Sequence, residues 1–270
     1  MGSDANKFDM PGTAPKMRIT IQENGPYVVE GSIPLSQDAI VAGEDGKHKE
    51  YAHVKDYDVQ SEYLLCRCGK SKNKPFCDYT HMSTDFDGAE TADKSPYDQR
   101  AAQYKGPKLT LYDDDRCAYA RFCHRHDGDV WMLTAAAQSE PIADEAIEAS
   151  WHCPTGRLTH VDNASGEVYE QDFEPSIVAL EDVEMNVSGP LFVRGGVTLV
   201  GDDGQEYETR NRYALCRCGG SQSKPFCDAM HCNLEFEDGS TAFKSEPKDI
   251  DKTFDQIANA ADASGQGISQ

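Results

Sequence analysis

The stretch LLCRCGKSKNKPFCDYTH at residues 64–81 returns as ALCRCGGSQSKPFCDAMH at residues 214–231. Each copy contains three cysteines and one histidine in the same order. The first set is Cys66, Cys68, Cys77 and His81, and the second set is Cys216, Cys218, Cys227 and His231. Three thiolates and one imidazole at such close spacing are the donor set of a metal site. The duplicated stretch therefore predicts two similar metal centres in one chain.

The repeat extends upstream of the cysteines. NGPYVVEGSIPL at 24–35 is similar to SGPLFVRGGVTLV at 188–200, and each predicts two short strands joined by a glycine turn. Glu62–Leu65 and Arg212–Leu215 are predicted strands that lead to the first cysteines. Within each copy, a connection joins the glycine-turn strands to the strand before the first cysteine. This connection is longer in the first copy, and surface loops accept such insertions at little cost.

A short helix is predicted to carry the last two donors of each set. Pro75 and Pro225 suit the first turn of such a helix. The third cysteine and the histidine are four positions apart, which places both on one helical face. All four donors could then meet at one small centre.

The composition limits the class of protein. The chain has 270 residues, enough for two or three small domains, and a formal net charge of −21 that disfavours nucleic acid as a partner. No apolar run approaches a membrane span, and the N-terminal residues lack the apolar core of a signal peptide. Cysteines spaced as metal ligands fit a reducing compartment, so we expect a cytoplasmic location. No nucleophile or nucleotide-binding motif is present, and we expect no enzymatic activity.

Two kinds of metal centre compete for the duplicated donors. Zinc accepts three cysteines and a histidine, and a [2Fe–2S] cluster also accepts mixed ligation. The acidity of the chain counts against an RNA-binding zinc module. The recurring flanks count for a cluster. They are Ser71 and Ser221, the Lys-Pro-Phe segments that contain Lys74 and Lys224, and Asp78 and Asp228.

At these residues the chain resembles the CDGSH iron–sulfur family, the NEET proteins, whose pattern is C-x-C-x2-(S/T)-x3-P-x-C-D-G-(S/T/A)-H. The resemblance implies a [2Fe–2S] cluster on each set of donors. The chain departs from the pattern at the signature glycine, where it has Tyr79 and Ala229. Family members often place two clusters in one two-fold unit. The resemblance thus implies an intramolecular pseudo-dimer with intertwined strands.

A different unit separates the repeats. Residues 108–115, 129–133 and 167–173 are predicted strands, and 141–152 is a predicted helix. The expected fold class is α+β and β-rich, with two CDGSH-type repeats and a small ferredoxin-like insert. The predicted boundaries are 17–88 for the first repeat, 89–105 for a polar linker, 106–172 for the insert, 173–240 for the second repeat and 241–270 for a polar tail.

The insert contains three further cysteines: Cys117, Cys123 and Cys153, the last followed by Pro154. On a ferredoxin ligand grid the vacant middle position is Ala120. Residues 123–158 resemble the divergent mono-cluster 4Fe–4S ferredoxin family, which implies a [3Fe–4S] cluster, or a [4Fe–4S] cluster with a fourth ligand. His124, His126, His152 or water could supply that ligand, and three buried thiols without a cluster are the alternative. Cys232 falls outside every pattern and is predicted to be a packing residue or free thiol.

These observations predict a multi-cluster iron–sulfur protein. Electron transfer through pH-sensitive centres is the expected function, because a ligating histidine can be protonated. A cluster carrier, a redox sensor, a zinc-based interaction module and an electron-transfer subunit of a redox enzyme are the alternatives. The expected partner is a redox protein that gives or takes electrons, or an apo-protein that accepts a cluster.

Overall fold

A computed structural model describes residues 17–43 and 47–239 of the chain, so the predicted tail at 241–270 lies outside the described residues. The first part contains β1 (Arg18–Ile21), β2 (Tyr27–Glu30), β3 (Leu35–Ala42), β4 (His48–Tyr57), β5 (Glu62–Leu65) and a 3-10 turn (Thr80–Ser83). The middle part contains α1 (Tyr97–Arg100), β6 (Ala102–Lys105), β7 (Leu109–Asp113), β8 (His124–Arg125), β9 (Gly128–Asp129), α2 (Val130–Ala136), α3 (Glu140–Trp151), β10 (Leu158–Asp162) and β11 (Val168–Tyr169). The last part contains β12 (Ser176–Asp182), β13 (Val187–Arg194), β14 (Thr198–Val200), β15 (Arg212–Leu215) and α4 (Met230–Asn233).

The two repeats exchange strands. One sheet has the order β14-β1-β2-β5 and another has the order β15-β13-β12-β3-β4. Strand β14 of the second repeat runs parallel to β1, with Ile19 opposite Leu199, and β3 of the first repeat runs parallel to β12, with Ile177 opposite Leu35. Each repeat therefore completes the sheet of the other. The predicted intertwined pseudo-dimer and the α+β, strand-rich fold class are confirmed.

One apolar core joins the two exchanged sheets. Alternate residues of the strands point inward, as the period-two pattern of a half-buried strand requires. The fully buried members include Ile19, Tyr27, Leu65, Leu191 and Leu215. Burial of each such side chain contributes about 1.5–3 kcal/mol, so neither repeat could be removed without exposing the core of its neighbour.

The longer connection of the first repeat forms the hairpin of β3 and β4. These strands are antiparallel, and β4 forms the edge of the second sheet while β3 pairs with β12. The ring of Tyr51 on β4 packs against Phe122 of the middle unit, with ring centroids 4.6 Å apart. The insertion thus holds the middle unit against the pseudo-dimer.

The middle unit has a four-stranded antiparallel sheet, β11-β10-β7-β6, with α2 and α3 packed beside it. Strand β7 and helix α3 were expected from the sequence, while β11 covers only two residues of the predicted strand at 167–173. The predicted strand at 129–133 is wrong, because this segment begins helix α2. The Asp129 side chain caps that helix by accepting a hydrogen bond from the Met132 amide at 2.8 Å. Val130, Leu133 and Thr134 are then buried at helical spacing.

The segment 89–105, predicted as a polar linker, carries α1 and β6 and lies against the second repeat. The amide of Thr91 donates to the Lys224 carbonyl at 2.9 Å, and the Tyr97 ring is fully buried. Across the described part of the chain, none of the helices has the length and apolar character needed to cross a bilayer.

Candidate metal centres

Each set of donors is built where a strand ends and the chain folds back beside it. In the first copy the Cys66 amide donates to the Pro75 carbonyl at 2.8 Å, and the Cys77 amide donates to the Leu64 carbonyl at 2.9 Å. The second copy repeats both bonds, from Cys216 to Pro225 and from Cys227 to Ala214. This pairing brings the third cysteine alongside the first.

The predicted helix through the third cysteine and the histidine is wrong in both copies. The chain instead passes through a left-handed residue, Tyr79 with φ 65° and Ala229 with φ 68°, before a single helical turn begins. These are the positions of the signature glycine, the residue that adopts such a φ at least cost. The side chain of Asp78 holds this turn by accepting from the amides of Lys72 and Thr80 at 2.8 and 3.0 Å.

The donors of each copy form two close pairs. Cys66 Sγ lies 3.7 Å from Cys68 Sγ, and Cys77 Sγ lies 3.5 Å from His81 Nδ1. The corresponding distances in the second copy are 3.6 and 3.4 Å. Two sulfurs about 2.3 Å from one tetrahedral metal lie about 3.7 Å apart, and a sulfur and a nitrogen lie about 3.5 Å apart. Each pair is therefore spaced to share one metal.

The pairing separates a two-metal cluster from a single ion. Among the described residues, no three or more His, Cys, Asp or Glu side chains are arranged to hold one metal ion. A zinc ion would need all four donors around one point. A [2Fe–2S] cluster needs two donors on each of two irons. The donor set of each copy fits the cluster.

The contact within each cysteine pair separates the pKa values of its two thiols. The hydrogen bond between Cys66 and Cys68 lowers the pKa of Cys68 to about 6 and raises that of Cys66, and the equivalent bond lowers the pKa of Cys216 to about 6 and raises that of Cys218. Burial raises the pKa values of Cys77 and Cys227. Backbone amides also face the sulfurs, with the amide of Lys70 3.4 Å from Cys68 Sγ and that of Tyr79 3.3 Å from Cys77 Sγ. Such donors stabilise the thiolate, the form that binds metal.

The recurring flanks support the loops. Ser71 Oγ donates to the Phe76 carbonyl at 2.7 Å, and Ser221 repeats this bond to Phe226. Lys74 lies over the ring of Phe236, 5.8 Å from its centroid, so it reaches across to the second repeat. The hydroxyls and carboxylates of the motif therefore shape the loop that presents the donors.

The two sites meet at the pseudo-two-fold axis. A Cβ on Gly69 would lie 2.4 Å from the carbonyl oxygen of Cys218, and a Cβ on Gly219 would lie 2.5 Å from that of Cys68. Both glycines have positive φ. Cys68 and Cys218 also line one open groove of about 520 Å³. The two centres are thus neighbours in contact through their loops.

The sites differ in exposure. Cys77 and His81 are partly exposed, whereas Cys227 and His231 are each 3% exposed. Ala118 of the middle unit packs on Cys227. Burial lowers the pKa of His231 to about 4. The middle unit therefore covers the second site and leaves the first site open.

The structure brings the three middle cysteines into electrostatic range of one another. Burial, together with the charges of Cys153 and Cys117, raises the pKa of Cys123 to about 12. Burial also raises the pKa of Cys153. Cys123 and Cys153 pack on the apolar cluster that contains Leu111.

The loop before Cys123 has an unusual backbone conformation. Asp115, Tyr119 and Arg121 all have positive φ, an uncommon and costly conformation that concentrates at functional sites. The Tyr119 amide lies 3.3 Å from Cys117 Sγ, which repeats the amide-to-sulfur contact at Cys77. The methyl group of Ala120 is buried in an apolar cluster. The vacant middle ligand position is therefore a packing residue.

Of the histidines predicted as a possible fourth ligand, two are exposed and the third contacts a backbone carbonyl and an aromatic ring. His124 and His126 are exposed on the hairpin of β8 and β9. His152 has its Nδ1 2.9 Å from the Glu148 carbonyl, and its ring stacks on Phe122 with centroids 5.5 Å apart. Cys232 is partly buried on α4, beside His231.

Two arginines at the sites were not predicted from the sequence. Arg67 and Arg217 stand between the first two cysteines of each copy, and both are buried. Arg67 Nε donates to the Gly25 carbonyl at 2.9 Å, and Arg217 Nε donates to the equivalent Gly189 carbonyl at 2.7 Å. The recurring Cys-Arg-Cys order was the available signal.

A comparison with protein-family models matches residues 24–82 and 188–232 to the family described as iron-binding zinc finger CDGSH type. The two matches contain both donor sets and flank the middle unit, as the sequence predicted. No curated protein and no solved structure matches the chain.

Proposed function

Since the chain carries two CDGSH-type iron-binding regions, we propose that it holds a [2Fe–2S] cluster at each and serves in electron transfer. The arrangement of each donor set as two separate metal-sharing pairs is the observation that carries this proposal. A bound [2Fe–2S] cluster supplies one-electron redox chemistry, and replacement of one thiolate by neutral imidazole makes reduction easier than at an all-cysteine centre.

The residues of the chain would hold and shield the clusters. The paired donors would bind the iron, the amides of Lys70 and Tyr79 donate to sulfur, and Ala118 excludes water from the second site. Contact between the loops of Gly69 and Gly219 keeps the two sites adjacent. Short separation of redox sites is what one-electron exchange within a chain requires.

A third centre is proposed at Cys117, Cys123 and Cys153, as a [3Fe–4S] or [4Fe–4S] cluster. Its support is the mutual electrostatic influence of the three thiols and the positive-φ loop between the first two. The packing of Ala118 on Cys227 places this loop against the second site. The middle centre would then exchange electrons with the second site.

Cluster transfer to an apo-protein is the second candidate function. The partial exposure of His81 favours it, because a ligand that solvent can reach is a ligand that can be protonated and released. A redox-sensing function would use the same lability. A zinc-based interaction module is disfavoured by the paired donors.

One experiment separates the two candidates. The loaded chain is reduced with dithionite and mixed either with an oxidised one-electron acceptor such as cytochrome c or with an apo-ferredoxin, and visible absorption is followed. Electron transfer predicts rapid acceptor reduction while the clusters stay on the chain. Cluster transfer predicts that absorption and iron move to the apo-ferredoxin while the chain stays folded.

The pH sensitivity of the sites has its own test. We expect visible absorption to bleach faster at about pH 6 than at about pH 8, since histidine titrates in that region. Substitution of His81 by Cys should slow acid loss at the first site only. Bleaching at an unchanged rate in this variant would contradict ligation by His81.

A further inference from the structure

The arginine that lies between the first two cysteines of each donor set is buried. Arg67 is 1% exposed and Arg217 is 3% exposed. A guanidinium keeps its proton throughout the physiological range. Each donor set therefore has one fixed positive charge on the residue between two of its cysteines, in a buried setting where charge interactions are stronger than in water.

The charge of Arg217 is compensated by two carboxylates. Its Nη2 atom lies 2.8 Å from Glu181 Oε1, and its Nη1 atom lies 2.6 Å from Asp238 Oδ2. Both carboxylates are buried, with side-chain exposures of 8% and 3%. The second site therefore sees a neutral or negative group at this place.

The charge of Arg67 has no carboxylate partner. Its Nη2 atom donates to the carbonyls of Gln22 and Gly88, its Nε atom donates to that of Gly25, and the guanidinium lies over the rings of Phe86 and Tyr27. Its buried Nη1 atom has no hydrogen-bond partner, and within residues 17–43 and 47–239 no carboxylate lies within ion-pair distance of this guanidinium. The position equivalent to Asp238, 150 residues earlier, is Gly88, so the first repeat has no carboxylate there.

The loops at the two sites also differ in charge. The first loop carries exposed Lys70 and Lys72 where the second has Gly220 and Gln222. Lys74 of the first repeat lies over Phe236, which packs with Cys216 and Cys218 of the second site. Arg121, whose charge acts on His231, is paired with Asp182 at 2.8 Å. Hydrogen bonding, net charge and solvent exposure set the potentials of iron–sulfur centres, and here the charges and the greater exposure favour added electrons at the first site.

Resting on the proposed function, we infer that Arg67 and the Arg217–Glu181–Asp238 group make the two Cys3His sites unequal, so that the first site has the higher reduction potential. One electron shared by the pair resides at the first site, which is reduced while the second site is oxidised. The exposed site would thus exchange electrons with redox partners, and the covered site would exchange electrons with other centres of the same chain.

The test is an EPR-monitored redox titration of the full loaded chain with dithionite as the electron source. We expect the two Cys3His centres to reduce in separate steps, with at least a tenfold difference in equilibrium, or about 59 mV for one electron. The variant Asp238→Asn keeps the shape of the side chain and removes its charge. It should raise the lower potential and leave the upper one in place.

The matched control is Glu235→Gln, which removes one charge from an exposed position of the same loop and should move neither potential. Arg67→Gln should lower the upper potential, while Arg67→Lys should restore most of it. Both reduction potentials are measured on the chain alone, without a redox partner.

Coincident potentials in the loaded wild-type chain would overturn this inference and leave the proposed function standing. The same holds if Asp238→Asn moves the upper potential or moves none. A chain without iron and sulfide would overturn the proposed function, and this inference with it.

Discussion

The Nε atom of Arg212 donates a hydrogen bond to the carbonyl oxygen of Cys153 at 2.8 Å. Arg212 is the first residue of β15, the strand that leads to Cys216, and its side chain is fully buried. Its other nitrogens bind the Ser150 carbonyl at 2.8 Å and the carboxylate of Glu170. One side chain of the second repeat therefore fixes the end of α3 and the last middle cysteine.

Removal of this guanidinium should loosen the middle centre. In Arg212→Gln the carboxylate of Glu170 would lose its closest cation and keep only its longer contacts with Thr159, Asn211 and Arg210. Breaking a buried pair in this way costs up to about 3–5 kcal/mol. We expect the variant to lose the iron of the middle site and to keep about four iron atoms at the two repeats. Iron and sulfide analysis gives the count. Arg194→Gln, on the neighbouring strand, is the control and should bind as much iron as the wild type.

The approach of the two sites depends on glycine. Ala at Gly69 would place its Cβ 2.4 Å from the Cys218 carbonyl oxygen and would also occupy a φ of +73°. Gly204 has a φ of +77° and nothing within 4 Å, so Gly204→Ala reports the strain alone. We expect Gly204→Ala to lower the free energy of unfolding by about 1–2 kcal/mol and Gly69→Ala by at least about 1 kcal/mol more. Urea unfolding measures both, and equal losses would refute the close contact.

Glycine at the signature position should stabilise the chain. Ala229 has a φ of 68°, which costs about 1–2 kcal/mol for a residue with a Cβ. Ala229→Gly should raise the free energy of unfolding by about 1 kcal/mol, measured from urea midpoints. Ala135→Gly, at an exposed position inside α2, should lower it by about 1 kcal/mol. A loss of stability in Ala229→Gly would contradict the left-handed conformation.

The free energy of unfolding should decrease as the pH is lowered, because His160 is buried as a neutral ring. This residue is fully buried, with Thr134 Oγ1 2.8 Å from Nε2 and Ser150 Oγ 3.0 Å from Nδ1, and burial lowers its pKa to about 3. The folded state therefore keeps the ring neutral, while the unfolded chain takes up a proton below about pH 6.5. The stability that this residue contributes is present above that pH and is lost as the pH falls towards its folded pKa.

The variant His160→Gln cannot titrate. Relative to it, the wild type should lose roughly 1 kcal/mol of unfolding free energy between about pH 6.5 and 5.5. Denaturant titrations at both pH values give this difference. His126→Gln, at an exposed position, should lose as much unfolding free energy as the wild type between these pH values. An equal loss in the wild type and in His160→Gln would refute a neutral buried ring.

The repeat allowed much of the fold to be predicted. Strands β5 and β15 were predicted to the residue, and the intertwining followed from the resemblance and the duplication. Helix α2 was missed because a run of β-branched and aromatic residues has strand propensity, whereas the cap at Asp129 and the burial of Val130 decide for a helix.

The structure brings the predicted donors together in each copy, but part of their setting could not be predicted from the sequence. Spacing of i and i+4 suggested a helix through Cys77 and His81, although a left-handed turn brings the same atoms together. The partners of Arg217 come from two distant segments, so no local pattern reveals them. Coverage of the second site by Ala118 depends on the docking of the middle unit.

Iron, sulfide and zinc analysis of the intact chain, expressed anaerobically with sufficient iron, tests the central claim most directly. Paired donors at two sites and a third centre predict a red-brown protein with about seven or eight iron atoms per chain, matching sulfide and no stoichiometric zinc. A colourless, iron-free chain that carries stoichiometric zinc would contradict the account.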